Sequence, residues 1–239
     1  MRNHSESKFL TERQSRIGEF LFTLKVVKEF IKGFRTLHFV GPCVAVFGSA
    51  RFKEDHHYYQ LGREVGANVS RLGFTVMTGG GPGVMEAANR GAKEVGGFSV
   101  GCNIILPREQ QPNKYLDKMV EFHHFFVRKV LMFKYSYAFV VLPGGVGTID
   151  EMFEALTLIQ TKKVGDFPVV LMGKHYWQPV IDQLKVFDEH KTALHSELDS
   201  LLITDSLDEM TEYLRVKAIE RFKLTKAMKF NRSKWFLED

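Results

Sequence analysis

Val140-Val141-Leu142-Pro143-Gly144-Gly145-Val146-Gly147-Thr148-Ile149-Asp150-Glu151 runs from a β-type stretch through a glycine turn into a helix. The apolar residues Ala138 to Leu142 predict a short buried strand. Pro143, Gly144, Gly145 and Gly147 form a turn that almost no side chain obstructs. Ile149, Met152, Phe153, Leu156 and Ile159 then recur at helical spacing. A strand, a glycine turn and a helix start in succession leave backbone N–H groups free at the positive end of the helix dipole. That end is a ready site for an anion such as phosphate.

The arrangement occurs twice. Upstream, Phe74 to Thr78 predicts a strand, Gly79-Gly80-Gly81-Pro82-Gly83 a turn, and Val84, Ala87, Ala88, Gly91, Ala92 and Val95 a helix stripe. One such loop is weak evidence of a ligand, because glycines also serve simply to turn the chain. Two in one chain, each followed within a few residues by a carboxylate (Glu86, Glu151), point to a phosphorylated ligand.

Working outward, Cys43 to Phe47 predicts a first strand ending in Gly48-Ser49-Ala50-Arg51, followed by a helix over about Tyr58 to Leu72. Strands follow at Phe98 to Leu106 and near Met119 to His123, joined by a polar loop through Gln110, Gln111, Pro112 and Asn113. A helix around Phe126 to Tyr135 carries Arg128 and Lys129, and further strands lie at Phe167 to Met172 and Leu201 to Ile203. Alternating strands and helices imply an α/β fold with a mainly parallel sheet covered on both faces. Ligands of such sheets bind beyond the carboxyl ends of the strands. The loops at Ser49, Gly79 to Gly83, His123 and Gly144 to Thr148 are therefore expected to meet in one crevice. Three segments are expected: an N-terminal extension over 1–40, an α/β ligand-binding domain over 41–218 and a basic tail over 219–239.

Residues 1–10 are polar and expected to be disordered. From Glu12 to Arg35, Ile17, Phe20, Leu21, Leu24, Val27, Ile31 and Phe34 form an apolar helical stripe. It could lie on the domain, join a subunit contact or touch a membrane surface; the polar face lacks the dense lysine cluster of a lipid binder, which favours packing. For the tail, with Phe222, Phe230, Trp235 and Phe236 among basic residues, disorder, docking on a neighbour and nucleic-acid contact are all open.

Composition narrows the classes. A chain of 239 residues with 44% hydrophobic residues can bury a full α/β core. The net charge of +5 suits small anions without arguing for nucleic acid. Cys43 and Cys102 sit in apolar runs and read as buried free thiols of a reducing compartment. With no signal peptide and no membrane-length apolar run, a cytoplasmic protein is expected.

The crevice chemistry can be narrowed too. A dinucleotide site wants an acidic residue about 20 positions beyond the glycines, and Ser99 to Leu106 supplies none. No G-x-x-x-x-G-K-[ST] loop and no H-E-x-x-H zinc motif are present. On a helical wheel Glu151 projects away from the core stripe, beside Asp150 and Glu154. A carboxylate there can simply favour the helix dipole, by about 0.3–1 kcal/mol. It can instead stabilise positive charge at a sugar's anomeric carbon, as glycosidic cleavage through an oxocarbenium-like state requires. Glu86 reads either as a solvated or capping residue or as a ribose ligand. Arg128-Lys129 reads either as an exposed basic pair or as a group whose arginine binds phosphate or sugar with its planar fork.

Met77-Thr78-Gly79-Gly80-Gly81-Pro82-Gly83-Val84-Met85-Glu86-Ala87-Ala88-Asn89, together with Pro143-Gly144-Gly145-x-Gly147-Thr148-x-x-Glu151, resembles the LOG (Lonely Guy) family over about Val44 to Leu214. These are cytokinin riboside 5′-monophosphate phosphoribohydrolases, many of them mislabelled lysine decarboxylases. The resemblance implies a modified Rossmann fold, a homodimer or higher oligomer of dimers, and no cofactor or metal. It implies hydrolysis of the N-glycosidic bond of a nucleoside 5′-monophosphate such as AMP, with Arg128 and Glu151 catalytic. By the same resemblance Gly145, Gly147 and Thr148 hold phosphate, Glu86 holds the sugar and Ser49 lies near the nucleotide. Gly80, Gly81, Lys129 and Gly144 complete the expected binding set. Phe125-Phe126-Val127 stands where plant-type members carry Met-His-Glu, which reshapes the pocket near the base, and Asp150 replaces the commoner glutamate. A non-catalytic nucleotide-binding or sensing protein is the competing reading, and a nucleic-acid module using the tail is a third.

Overall fold

The computed structural model describes residues 5–106, 111–165, 167–193 and 200–220. Two helices, α1 (Ser5–Thr11) and α2 (Arg16–Leu37), precede β1 (Cys43–Phe47). Then follow α3 (His57–Arg71), β2 (Thr75–Thr78), α4 (Val84–Glu94), β3 (Ser99–Ile104), β4 (Lys118–Phe122) and α5 (Phe125–Tyr135). The chain continues through β5 (Ser136–Val141), α6 (Val146–Gln160), β6 (Val169–Met172), α7 (Lys174–Glu189), β7 (Leu201–Thr204) and α8 (Leu207–Leu214), ending in a π-helical turn, Arg215–Glu220. The seven strands form one sheet in the order β4-β3-β2-β1-β5-β6-β7, and each neighbouring pair is parallel.

Each strand alternates its side chains between two cores. Cys43, Ala45 and Phe47 of β1 join Val127, Leu131, Met152, Ala155 and Trp177 on the face covered by α2, α5, α6 and α7. Val44 and Val46 join Val65, Val69, Val84, Ala88 and Met210 on the face covered by α3, α4 and α8. Both faces are buried, so the strands read as continuous apolar runs rather than as alternating ones. Successive strands step outward from β1 in one direction through β2, β3 and β4, and in the other through β5, β6 and β7. The connections part at the carboxyl ends of β1 and β5, and the crevice of an open parallel sheet lies there.

Three expectations are corrected. Residues 5–11 form α1 rather than a disordered arm. Helix α2 begins at Arg16, because the Ser15 hydroxyl accepts the Gly18 amide and caps it. Its apolar stripe does not pack on the domain. Ile17, Phe20, Leu21, Leu24, Val27, Ile31 and Phe34 are all exposed, whereas Glu29, Gly33 and Leu37 are buried and Val26 and Phe30 join the core. The inward face is fixed by close approach to α5, where Gly33 meets Leu131 and Phe122. The loop residues 107–110 and the basic tail from 221 onward lie outside the described residues.

The α3–α4 crossing positions the first glycine loop. A Cβ on Gly66 of α3 would lie 2.0 Å from the Ala88 carbonyl oxygen of α4, which is backbone and cannot swing aside. Helix propensity alone favours Gly66→Ala by about 1 kcal/mol, but overpacking costs about 1–3 kcal/mol and more against backbone. The variant is therefore expected to be net destabilised, with a lower urea midpoint at unchanged m-value; an unchanged or higher midpoint would contradict this packing.

Candidate active site

The switch point opens into a cleft of about 700 Å³. Its floor is Phe47, Gly48 and Ser49 after β1 and Gly144 to Thr148 after β5, with Arg128 and Glu151 on one wall. The loops after β1 and β5 stay paired beyond the strands, since Leu142 N donates to Phe47 O (2.8 Å) and Ser49 N to Pro143 O (3.0 Å). That pairing leaves no room for a side chain at Gly144, whose Cβ would lie 2.1 Å from Thr148 Oγ1.

Helix α6 starts uncapped. Gly145 is its N-cap with no side-chain hydrogen bond, and no carboxylate occupies the first turn. Thr148 N turns back to Gly145 O at 3.0 Å, while the amides of Val146 and Gly147 precede any intrahelical acceptor. A Cβ on Gly145 or Gly147 would meet nothing within 4 Å, and neither residue has a positive φ. Internal packing therefore requires neither glycine, and the space they leave lies at the open, positive end of α6. This is the geometry of an anion site.

The first glycine loop does different work. Val84 N, the first amide of α4, donates to Ser49 O at 3.0 Å, so the first amide of this helix end is taken by the protein's own carbonyl. The left-handed Gly83 (φ +70°) allows the contact, because a Cβ there would sit 2.4 Å from Ser49 O. From behind, a buried network holds the loop: Thr78 Oγ1 donates to Asn89 Oδ1 (2.7 Å) and accepts from Gly80 N (2.9 Å), and Asn113 Nδ2 donates to Gly81 O (3.1 Å). Gly79 lines the cleft; Gly80 and Gly81 do not. Glu86 also lies outside the lining, and its carboxylate accepts the Tyr59 hydroxyl at 3.3 Å across the α3–α4 contact. Of the two helix ends expected at the ligand, that of α6 has its first two amides without an acceptor at the cleft, whereas that of α4 has its first amide taken by Ser49 O. The His123 loop turns away as well, its ring bound to Glu29 of α2.

Glu151 is buried at 4% exposure, and Arg128 Nη2 donates to its Oε1 at 2.7 Å. The wheel reading that grouped Glu151 with Asp150 and Glu154 gives way here: those two take Lys129 Nζ at 2.9 and 2.7 Å on the outer side of α6, and Lys129 is not in the cleft. Burial raises the Glu151 carboxyl above its ordinary value, and the positive charges of Arg128 and Lys129 offset only part of that rise. The buried Arg128 Nε has no acceptor among the described residues, and the guanidinium stands 5.5 Å over the Phe125 ring. Around Phe125, the lining of Met85, Ile104 and Leu106 is apolar. Sequence reasoning missed Tyr176, whose hydroxyl donates to Gly144 O at 2.7 Å and pins the second loop from α7, as well as Asn103 at the end of β3. Neither falls in a motif, so only the topology brings them to the cleft. Among the described residues no cluster suits a metal ion, and no helix is long and apolar enough to cross a membrane.

A doubly wound α/β protein with an uncapped helix end beside a buried arginine–glutamate pair is the class that fold and cleft define. A family model described as "Possible lysine decarboxylase" matches residues 85–214. The chain is 35% identical over 153 residues to the cytokinin riboside 5′-monophosphate phosphoribohydrolase of Mycobacterium marinum, covering 63% of this chain and 81% of that protein. It is 39% identical over 101 residues to the protein of that name from Mycobacterium tuberculosis, covering 41% of this chain and 54% of that one. The molybdenum cofactor binding protein of Rippkaea orientalis superposes with a TM-score of 0.56 at 20% identity, over 74% of this chain and 96% of that one, a likeness of fold alone. The chain belongs to this lysine-decarboxylase-like family, the LOG family whose paired motifs its sequence carries.

The open α6 end yields a test in which stability and binding move apart. Gly147→Ala is expected to keep or raise stability, by up to about 1 kcal/mol for a helical glycine without strain. It should also abolish calorimetric binding of ribose 5-phosphate, because the new methyl occupies the anion's place. Undiminished binding would show that the anion sits elsewhere.

Proposed function

We propose that this chain hydrolyses the N-glycosidic bond of nucleoside 5′-monophosphates, AMP or a cytokinin riboside 5′-monophosphate, giving free base and ribose 5-phosphate without a cofactor. One observation carries the reading: Arg128 and Glu151 meet in the cleft about one and a half helical turns, roughly 7.5 Å, beyond the open N-terminus of α6. That spacing suits a ribose held by its 5′-phosphate. Phosphate rests on the free amides of Val146 and Gly147, beside Thr148, within the cradle of Gly144 and Gly145 and near Ser49. The base lies on the apolar side toward Phe125, Met85 and Ile104. The names borne by the mycobacterial relatives support the same substrate class.

The reaction needs positive charge at the anomeric carbon to be stabilised. As the C1′–N bond breaks, its electron pair leaves with the base. Glu151 faces the developing oxocarbenium, takes a proton from the attacking water, and the water oxygen forms the new C1′ bond. The proton then passes to the departing base, so the products are neutral base and ribose 5-phosphate. Arg128, already donating to Glu151, has its Nε–H free to hold a sugar or phosphate oxygen. A carboxyl raised by burial is a better proton acceptor than an exposed one. Ionic partners also keep Glu151 charged where isolated burial would neutralise it.

A second copy of the chain completes the proposal. On α2, Ile17, Leu24 and Ile31 recur every seven residues, as do Phe20, Val27 and Phe34, and all six are exposed. A sustained seven-residue apolar repeat is the seam of paired helices. The exposed Phe126 and Val130 of α5, the helix against which α2 packs, extend it. The dimer is expected to be lost with Leu24→Glu plus Ile31→Glu, read as a halved mass by analytical ultracentrifugation. A wild-type monomer would contradict it. The buried free thiols of Cys43 and Cys102, the latter pushed up to about 12 by burial, accord with a reducing, cytoplasmic setting.

The direct test is incubation with AMP and the other 5′-monophosphates, following free base by chromatography. Wild type is expected to release base, and Glu151→Gln and Arg128→Ala to lose at least about 10²-fold, the scale of a removed acid–base group. Nucleotide binding without base release would make the chain a binding protein instead. The pH profile has a determined sign. Ionised Glu151 is the active form and its carboxyl is raised, so kcat/KM falls with acid through a midpoint above 4.5. Lys129→Met removes a cation that lowers it and should move that midpoint further up. A midpoint at or below 4.5 would contradict the role of Glu151.

A further inference from the structure

Helix α5 delivers Arg128 from its first turn, and its start has no cap of its own. His124 is the N-cap without a side-chain hydrogen bond, and the first turn has no acidic residue. The acceptors come from the N-terminal helices instead. Glu29 of α2, only 8% exposed, takes His123 N at 3.1 Å and His123 Nδ1 at 2.8 Å on Oε1. Its Oε2 takes His124 N at 3.4 Å and stands 3.0 Å from His124 Nδ1. Glu6 of α1 takes the next amide, Phe125 N, at 3.4 Å. Three consecutive amides thus donate to carboxylates that lie some ninety or more residues away in sequence and precede the region matched by the family model.

We propose that Glu29 is a positioning residue for Arg128, clamping the 123–124 turn so that the guanidinium is held at hydrogen-bond distance from Glu151. The link is short. His124 O accepts Arg128 N at 3.2 Å, the first hydrogen bond of α5, so the turn that Glu29 holds is the one from which Arg128 hangs. His124 is 1% exposed with its ring edge-on to Phe22 at 5.0 Å, which leaves the turn no alternative solvent partner on that side. Glu29 is charged in this place. Burial pushes its carboxyl up, but the close His124 ring and the hydrogen bond of the His123 amide, with the other histidine contacts, outweigh burial and hold it below the usual carboxylate value. A buried anion at the positive end of α5 also favours the helix dipole. The amphipathic helix that the sequence marks out therefore has two working faces, the outer apolar seam and an inner face built around one carboxylate.

The test uses the full chain as wild type, Glu29→Ala, Glu29→Gln and, as a control, Lys32→Ala. The control removes a neighbouring α2 contact, Lys32 Nζ to Glu121 O at 3.0 Å, without touching the 123–124 turn. Two readouts are taken: the ¹⁵N resonance of the Arg128 side chain, assigned by its loss in Arg128→Ala, and kcat and KM for AMP. Glu29→Ala is expected to shift or broaden the Arg128 signal and lower kcat at least tenfold, with KM and ribose 5-phosphate affinity changed less than twofold, since α6 holds the phosphate independently. Glu29→Gln keeps the size and one acceptor and should fall between, which preserves the test if the alanine variant does not fold. Lys32→Ala should match wild type. An Arg128 signal unmoved in the glutamine and alanine variants, or moved equally by Lys32→Ala, would overturn the proposal. The kinetic arm rests on the hydrolase reading and the resonance does not: wild type without base release but with a Glu29-dependent Arg128 signal would remove the hydrolase and leave the clamp standing.

Discussion

A parallel sheet buries both faces, and every crossover must return the chain to the same edge. All carboxyl ends, and all the loops that follow them, therefore gather on one side. In this chain the consequence is concentrated at β1 and β5, where the strand order parts in two directions. The connections leaving β1 and β5 run in opposite directions from that point, and the cleft occupies it. The open end of α6, the paired loops at Ser49 and Pro143, and the buried Arg128–Glu151 contact all depend on the switch lying there.

Within the cleft the balance is electrostatic. A carboxylate buried to the extent of Glu151 tends to take up a proton, and a buried pair that loses one partner leaves an uncompensated charge. Arg128 offsets that tendency from α5, and Lys129, tied to Asp150 and Glu154, adds positive charge from outside while binding α5 to α6. The two adjacent basic residues thus divide their work by side: one faces the cavity and the other holds its wall. The two glycine loops divide likewise. The helix end after one leaves its first two amides without an acceptor, whereas the first amide after the other is tied to Ser49 O and joins α4 to the β1 loop.

The sheet was legible because a doubly buried strand leaves an unmistakable apolar run, as in Cys43 to Phe47 and Val169 to Met172, and the turns between are marked by glycine. The uncapped start of α6 was legible for the same reason, since a glycine turn directly after an apolar strand offers no side chain to cap the helix that follows. What the pattern could not settle was direction. The apolar stripe of α2 was visible in sequence, but a stripe does not say whether it faces its own domain or another molecule, and Gly33 against Leu131 decides that only in three dimensions. Glu86 looked equivalent to Glu151 by motif, yet it lies outside the cleft lining and its carboxylate meets Tyr59. Tyr176 and Glu29 reach the site or its supports across large sequence separations, and nothing local marks them.

The account stands or falls on where a nucleotide lies relative to α6. A crystal structure of the Glu151→Gln variant with AMP measures this directly. The expected result is a phosphate with oxygens about 2.7–3.2 Å from the amides of Val146 and Gly147, and an anomeric carbon between Arg128 and position 151. AMP bound with its phosphate away from the α6 N-terminus, or outside the cleft altogether, would contradict it.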